Sequence, residues 1–450
     1  MTLSDVLKRL DDADITRVKI GAFDIDGVLR GKHISRKKFE SSVVGGLGFC
    51  DVIFGWDIAD TLYDGVDVKV TGWNTGYPDA IARIDLDSCR LIPWEPGTAL
   101  LLLDLCDKDG SPLPMAPRNL LRSVVAKAEA LGYDPRFAAE YEFFIYRETP
   151  QSLREKGFRN LTPLSPGMFG YSVLRASAHS PLVLDIFDSM NAFNVPLEGL
   201  HTETGPGVYE AAVTVDKGLA AGDKAALFKT GVKEICARHQ LIPTFMAKVS
   251  PDLPGCGGHI HQSLWDKAKD NNLFHGGDGV MSDLMQHYIA GLVKYLPELL
   301  VLFAPTINSY KRLVPGTWAP VNASWGMDNR TAAVRAIPGR AKSARIEMRM
   351  SGADNNPYLG MAACLAAGLD GIDNQLDLPE PVTNAYAPGN AAPLPGNLTE
   401  ATARFRSSEM ARRWFGDAFV DHYAATRDWE VRQHHKAVTD WELSRYFESI

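Results

Sequence analysis

Residues 136–146 read Arg-Phe-Ala-Ala-Glu-Tyr-Glu-Phe-Phe-Ile-Tyr, and residues 257–264 read Gly-Gly-His-Ile-His-Gln-Ser-Leu. Successive side chains of a strand alternate between faces, so Phe137, Ala139, Tyr141, Phe143 and Ile145 share one face and Glu140 and Glu142 the other. The same period puts His259 and His261 on one face of a second strand. Two acids on a half-buried face are costly unless a cation neutralises them. With the later acids Glu203, Glu210 and Glu347, the chain carries many carboxylates and few histidines, a donor set that suits Mg²⁺ or Mn²⁺ better than zinc. A site of that kind handles phosphate. Cys256-x-x-His259-x-His261 has a zinc-like look, but no second cysteine pair accompanies it.

At 450 residues the chain is too long for one typical core and is expected to form two domains. Its hydrophobic (45%) and charged (23%) contents are those of an ordinary globular protein. A net charge of −8 counts against nucleic-acid or anionic-membrane partners. The opening Met-Thr-Leu-Ser-Asp-Val-Leu-Lys-Arg-Leu reads as a short amphipathic helix, not a signal peptide. The most apolar window, 289–307, is interrupted by Lys294, Pro297 and Glu298, so no segment is expected to span a bilayer. The scattered cysteines Cys50, Cys89, Cys106, Cys236, Cys256 and Cys364 are expected to be free thiols in a cytoplasmic protein.

The pattern predicts a hairpin that starts at residue 17 and turns at Asp26-Gly27, then strands near 81–85 and 98–106. Asp109-Gly110 marks a further turn, and the three prolines between residues 111 and 117 read as a linker. Pro117 opens a helix with Leu120, Leu121, Val124, Val125, Ala128 and Leu131 at helical spacing, closed by Gly132. Further strands are expected at 208–214, 242–249 and 257–264, and helices at 218–239 and 283–302. Residues 379–395 read as a loop, and 400–450 as a charged helical tail anchored by Trp414, Phe419 and Trp441. The class is α+β, with the domain boundary between 1–112 and 113–450.

Neither a P-loop nor a dinucleotide-binding glycine string occurs, so metals and arginines would have to hold any nucleotide phosphates. The segment 308–350 supplies Lys311, Arg312, Arg330, Arg335, Arg340, Lys342, Arg345 and Arg349. Cation-loaded acids facing a group of arginines is the composition phosphoryl transfer needs.

Six strings resemble those of the glutamine synthetase family, and the resemblance runs over essentially the whole chain. They are Glu140-Tyr-Glu142-Phe-Phe, His201-Thr-Glu203-Thr-Gly-Pro-Gly-Val-Tyr-Glu210, Gly257-Gly-His259-Ile-His261-Gln-Ser263, Asn308-Ser-Tyr-Lys-Arg312-Leu-Val-Pro-Gly316, Asn329-Arg330-Thr-Ala-Ala-Val-Arg335 and Arg345-Ile-Glu347-Met-Arg349. The resemblance implies a small N-terminal β-grasp domain and a large catalytic domain. It also implies stacked homo-oligomeric rings, a dodecamer or decamer, with active sites completed by the neighbouring subunit. It places Glu142, Glu203 and Glu210 on one Mg²⁺ or Mn²⁺ and Glu140, His259 and Glu347 on another. Glu198, His261, Ser263, Arg335, Lys342 and Arg345 match ATP-site positions, Gly255, Arg312 and Arg349 grip L-glutamate, and Arg330 stabilises the transferring phosphoryl group. The implied reaction phosphorylates the γ-carboxylate of glutamate, and an amine then displaces the phosphate, with Glu203 a candidate acceptor for the amine's proton.

The chain departs from the family at the amine side. Where glutamine synthetases carry a glutamate in the loop after Arg312, this loop reads Pro315-Gly316-Thr317-Trp318-Ala319-Pro320. The stretch that supplies an ammonium-binding aspartate is rewritten as Gly48-Phe49-Cys50-Asp51-Val52-Ile53-Phe54-Gly55-Trp56-Asp57, where Asp51 or Asp57 could stand in. Exchanging a carboxylate for the Trp318 indole removes charge and adds apolar area, which favours an amine with a carbon skeleton over ammonium. The expectation is therefore a γ-glutamyl-amine ligase whose amine is methylamine, another monoamine, ethanolamine, a polyamine or an aryl amine, with a small or aromatic monoamine slightly favoured. The alternatives are glutamine synthesis from ammonia, a non-catalytic ring-forming relative, and a metal-dependent amidohydrolase suggested by His259 and His261 alone.

Overall fold

The computed structural model describes all residues except 66, 67, 69, 70, 388 and 390. Helix α1 (Leu3–Asp12) starts at a reciprocal cap between Thr2 and Asp5 and buries Val6 and Leu10. Strands β1 (Arg17–Phe23) and β2 (Leu29–Ser35) form the expected antiparallel hairpin, with Gly27 at φ +79° in its turn. After α2 (Arg36–Gly45) come β3 (Leu47–Cys50), β4 (Asp79–Ile84), β5 (Arg90–Leu91) and β6 (Thr98–Cys106). Their sheet runs β2-β1-β6-β4-β3, with β5 also on β6 and β1 parallel to β6. The period of two along β6 serves two cores: Leu101, Leu103 and Leu105 join Val18, Ile20, Phe39 and Phe54, while Leu100 and Leu102 join the larger core. The proline-rich stretch after it is packed, because Leu113, Met115 and Ala116 are buried in the smaller cluster. All six cysteines are unpaired, and no helix among the described residues is long and apolar enough to cross a membrane.

Helix α3 (Pro117–Ala130) leads into β7 (Tyr133–Tyr146), the spine of the second sheet. That sheet also holds β8 (Leu197–Thr202), β9 (Val208–Val213), β10 (Asp216–Lys217), β11 (Ile242–Thr244) and β12 (Gly258–Asp266). Past β13 (Asn322–Ala323), which pairs elsewhere with β17 (Ala392–Pro393), it gains β14 (Trp325–Met327), β15 (Val334–Ile337) and β16 (Arg345–Met348). The order is β14-β15-β16-β12-β7-β9-β8, with β10 and β11 also on β7. The peripheral helices are α4 (Pro150–Glu155), α5 (Val173–Ala178) and α6 (Ser180–Ala192). The apolar side of the sheet packs with α7 (Gly218–Arg238), α8 (Asp283–Phe303) and the almost wholly buried α9 (Pro357–Asp373).

Two expectations need correction. The strand read at 242–249 stops at Thr244, because Ala247 and Lys248 spend their backbone groups on Cys256 and the Asn308 side chain instead of a ladder. The tail is helical, as α10 (Leu398–Ser407), α11 (Glu409–Phe415), α12 (Asp417–Lys436) and α13 (Asp440–Tyr446). Phe419 is buried and Trp414 packs against the core, but Trp441 is 59% exposed and α13 buries nothing. The loop at 379–395 contains only the short β17, and residues 388 and 390 lie outside the described residues.

Asn356 ties the first hairpin to the second sheet's helices. It caps α9 by accepting from Tyr358 N (3.1 Å) and donates to the carbonyls of Asp24 (3.1 Å) and Ile25 (3.2 Å). Replacing it with alanine removes the cap and leaves two buried carbonyls short of a donor. The expected loss is about 1–2 kcal/mol in urea unfolding.

Candidate active site

Strand register assembles the site. On β7, Glu140 lies opposite His259 of β12 and Glu142 lies opposite Glu210 of β9, which in turn faces His201 of β8. His261 lies opposite Glu347 of β16, and Glu347 opposite Arg335 of β15. Directly opposed side chains share a face at about 4.5–5.5 Å. A single polar band therefore crosses six strands, running from Arg335 through Glu347, the two histidines, Glu140, Glu142 and Glu210 to His201.

His259 Nδ1 lies 3.3 Å from Glu347 Oε1 and 3.7 Å from Glu140 Oε2, and His261 Nε2 lies 3.2 Å from Glu140 Oε1. Glu140, His261 and Glu347 offer ligand atoms all within 4.8 Å of one another. Arg345 Nε donates to His261 Nδ1 (3.1 Å), so the neutral ring carries its proton on Nε2, aimed at Glu140. That proton suits His261 to donate to an anion; the converging set holds His261 where the resemblance implies His259, whose Nδ1 faces the same two acids. Glu347 is engaged on both oxygens, by Arg335 Nη1 (2.8 Å) and by Arg349.

The electrostatics separate the two halves of the band. Burial works to raise the Glu140 carboxyl, but hydrogen bonds and charge from His259 and His261 win and hold it well below the usual carboxylate range. Glu347 behaves alike: burial opposes, yet His259, Arg349 and His261 lower it to about 2. Glu142 goes the other way. Its burial, then the charge of Glu210, raise its carboxyl despite His259 and the Gly257 N–H that donates to it at 2.6 Å. A buried acid beside a second acid with too little positive charge nearby is a donor set that fits a hard divalent cation. Glu203, on the turn after β8, shares with Glu210 the surroundings of His201 and of Tyr171. The Glu142 half carries the less compensated charge, whereas the converging ligand atoms of Glu140, His261 and Glu347 lie in the other half, whose acid already faces two guanidinium groups.

A cleft of about 300 Å³ opens beside Glu140 and is walled by Glu198, His261, Ser263, Trp265, Lys342 and Arg345. Five of the six residues expected at the ATP site line it. Arg335 does not; it sits behind Glu347 and also bonds Asp328. On the other side, Arg312 is buried and donates to the carbonyls of Met350 (3.2 Å) and Arg349 (3.2 Å). Gly255 lies against it, with no room for a side chain: a Cβ there would be 2.7 Å from Arg312 Cγ. Arg349 Nε donates to the backbone of Arg330 (2.9 Å). Arg330 itself has no ion pair among the described residues, and Trp318, 66% exposed at φ +58°, shares a second pocket with it.

Sequence reasoning passed over Tyr171. It stacks on His201 at 4.4 Å between ring centroids, within electrostatic range of Glu210, Glu203, Arg330 and Glu140. It sits in an irregular loop at φ +55°, where no periodicity marks it, and only Gly167 and Gly170 nearby hint at a turn. Of the two aspartates considered for the amine side, Asp57 is committed to a turn. It accepts from Ala59 and Thr61 N–H (2.9 Å each) and from Trp429 Nε1 (2.8 Å). Asp51 is buried, and that burial raises its carboxyl.

Residues 114–446 match the glutamine synthetase catalytic-domain model. The chain belongs to the glutamine synthetase family. It is 48% identical over 440 residues to Type-1 glutamine synthetase 2 of Dictyostelium discoideum, covering 96% of this chain and 84% of that one. It is 40% identical over 447 residues to the glutamate–isopropylamine ligase of a Pseudomonas species, covering 98% and 97%. A solved GmaS/ADP complex superposes with a TM-score of 0.86 at 28% identity, over 99% of this chain and 100% of that one. This glutamine synthetase-family chain is a C–N bond-forming glutamate ligase. The relatives' names divide on the nucleophile, so the choice of amine rests with this chain's own residues.

Proposed function

We propose that this ligase joins the γ-carboxylate of L-glutamate to an organic amine, using ATP and passing through γ-glutamyl phosphate. The observation that carries the choice of amine is Trp318. Where a carboxylate would face ammonium, an indole stands beside Arg330 in a pocket that also contains Met327, Pro381 and Val382. Ammonium is small and strongly hydrated and needs anionic partners, whereas an apolar wall rewards carbon.

The remaining roles are those the resemblance to the family implies. Lys342, Arg345 and the Nε2 proton of His261 are suited to triphosphate oxygens, Ser263 and Glu198 to the rest of the nucleotide, and Arg312 with Gly255 and Arg349 to glutamate. Two Mg²⁺ or Mn²⁺ ions, held by Glu142, Glu203 and Glu210 and by Glu140, His259 and Glu347, would offset charge on the phosphates and on the carboxylate. Arg330, which has no ion pair among the described residues, would meet charge that develops on the transferring group. Glu203 accepts the amine's proton, with Asp51 the better second acid because Asp57 is spent on its turn. The same reading makes 1–112 a β-grasp domain and 113–450 the catalytic domain, assembled into stacked rings with sites completed between subunits.

Glutamine synthesis from ammonia is the second reading, favoured by the name of the 48%-identical relative. Phosphate release with glutamate, ATP and either ammonium or a panel of amines separates the two: the proposal requires at least one organic amine to exceed ammonium in kcat/KM. Trp318→Glu should then shift the ratio toward ammonium by about tenfold or more. An unchanged ratio would remove Trp318 from the amine site.

A further inference from the structure

Building on the organic-amine reading, we propose that segment 379–386 and the end of β14 form a preformed receptor for the amine's carbon skeleton. Met327 and Val382 set its size, and it selects primary monoamines with an uncharged substituent. The pocket holds about 590 Å³ and is lined by Trp318, Met327, Arg330, Pro381, Val382 and Thr383. It is continuous with the acid band through Arg330 and through Asp328, whose carboxylate accepts from Arg335, the partner of Glu347.

The wall is fixed rather than adaptable. Val382 N–H donates to the Trp325 carbonyl (2.9 Å), and Trp325 Nε1 donates to that of Pro379 (2.7 Å). The Asn329 amide donates to the carbonyls of Val382 (2.9 Å) and Thr383 (3.1 Å), and Asn322 donates to that of Ala385 (2.7 Å). Tyr386 Oη closes the frame on the Ala319 carbonyl (3.1 Å), one residue from Trp318. Two prolines, Pro379 and Pro381, stiffen the same stretch. A wall held at so many points presents one shape, and a preorganised cavity discriminates on size.

Most polar groups around the pocket already have partners. Asn329 Oδ1 accepts from both the N–H (2.9 Å) and the hydroxyl (2.8 Å) of Thr331, whose hydroxyl accepts from Ala385 N (3.2 Å). Asp328 also lines the pocket, with its side chain 72% exposed; one of its oxygens accepts from two nitrogens of Arg335, which offsets its charge. Between these polar groups the lining offers indole, thioether and methyl surface, with Met327 45% and Trp318 66% exposed. Arg330, with no ion pair among the described residues, repels a second ammonium from the same wall, where the charge of Asp328 is already offset by Arg335.

The test uses the full-length enzyme, saturating ATP and glutamate, and phosphate release with methylamine, isopropylamine, benzylamine, butylamine and putrescine. Val382→Phe fills the pocket and should lower kcat/KM for isopropylamine relative to methylamine by about tenfold or more. Met327→Ala enlarges it and should raise benzylamine relative to isopropylamine by a similar factor, and wild type should prefer butylamine to putrescine. An unchanged rank order in both variants, or a wild-type preference for putrescine, overturns this receptor. ADP-induced thermal shifts equal to wild type certify that the variants are folded. If wild type releases phosphate only with ammonium, the organic-amine reading itself fails. If organic amines work but the variants leave their order intact, only the receptor assignment falls.

Discussion

Replacing Arg330 with alanine is expected to lower kcat for phosphate release by about 10³-fold while leaving the KM for glutamate near wild type. The reason lies in how the neighbouring guanidinium groups are spent. Arg335 and Arg349 neutralise Glu347, and Arg312 is tied to two backbone carbonyls. Arg330 has no ion pair among the described residues, yet lies close enough to Tyr171 to share its surroundings with Glu140, Glu203 and Glu210. A charge in such a place does little for the ground state and is available for charge that builds as the phosphoryl group moves. Its backbone is held independently by Arg349 Nε, so truncation of the side chain should not unfold the loop. A loss below tenfold, or one confined to KM, would show that Arg330 merely binds.

The second large effect is at Glu142, and its sign depends on whether divalent ions are present. Burial and the charge of Glu210 raise this carboxyl above its unfolded value of 4.5. An acid raised on folding makes the protein lose stability as pH climbs from the unfolded value through the folded one, and the cost persists at higher pH. Without divalent ions, Glu142→Gln should therefore melt higher than wild type at pH 8, and should lack the part of the pH slope due to this group. With Mg²⁺ at about 100 times its Kd, wild type should gain roughly 2.7 kcal/mol. The variant should gain far less, its Mg²⁺ affinity should fall more than tenfold, and turnover should fall with it. Differential scanning fluorimetry across pH, with and without Mg²⁺, reads every arm. Equal stabilisation of both proteins would take Glu142 out of the metal site.

How much of this was legible in the chain depended on period. The alternation from Phe137 to Ile145 announced β7, and the two-residue spacing of Glu140 with Glu142 and of His259 with His261 put the acids and imidazoles on the correct face. What the pattern could not give was register, which alone brings Glu347 opposite His261 and Glu210 opposite Glu142. β14, β15 and β16 were invisible as strands because they are three or four residues long and embedded among arginines, glycines and prolines. Arg335 was expected among the nucleotide ligands, yet the ladder pairs it with Glu347. Trp441 looked like an anchor because it is large and apolar, but α13 has no neighbouring element to bury it. Tyr171 lies in a loop, where the position of a side chain is decided by contacts remote in sequence.

Strands carry the acid band, while the surfaces beside Trp318 and Val382 come from the loop before β13 and from the loop between α9 and α10. Ladder hydrogen bonds hold the former, and a substitution there disturbs every neighbour. The latter tolerates exchange of one side chain for another with little propagation. On the reading proposed above, activation of glutamate and the choice of its acceptor draw mostly on separate elements, with Arg330 bordering both. A lineage built on this frame can change which amine it consumes through a handful of loop mutations, without rebuilding the apparatus that forms the acyl phosphate.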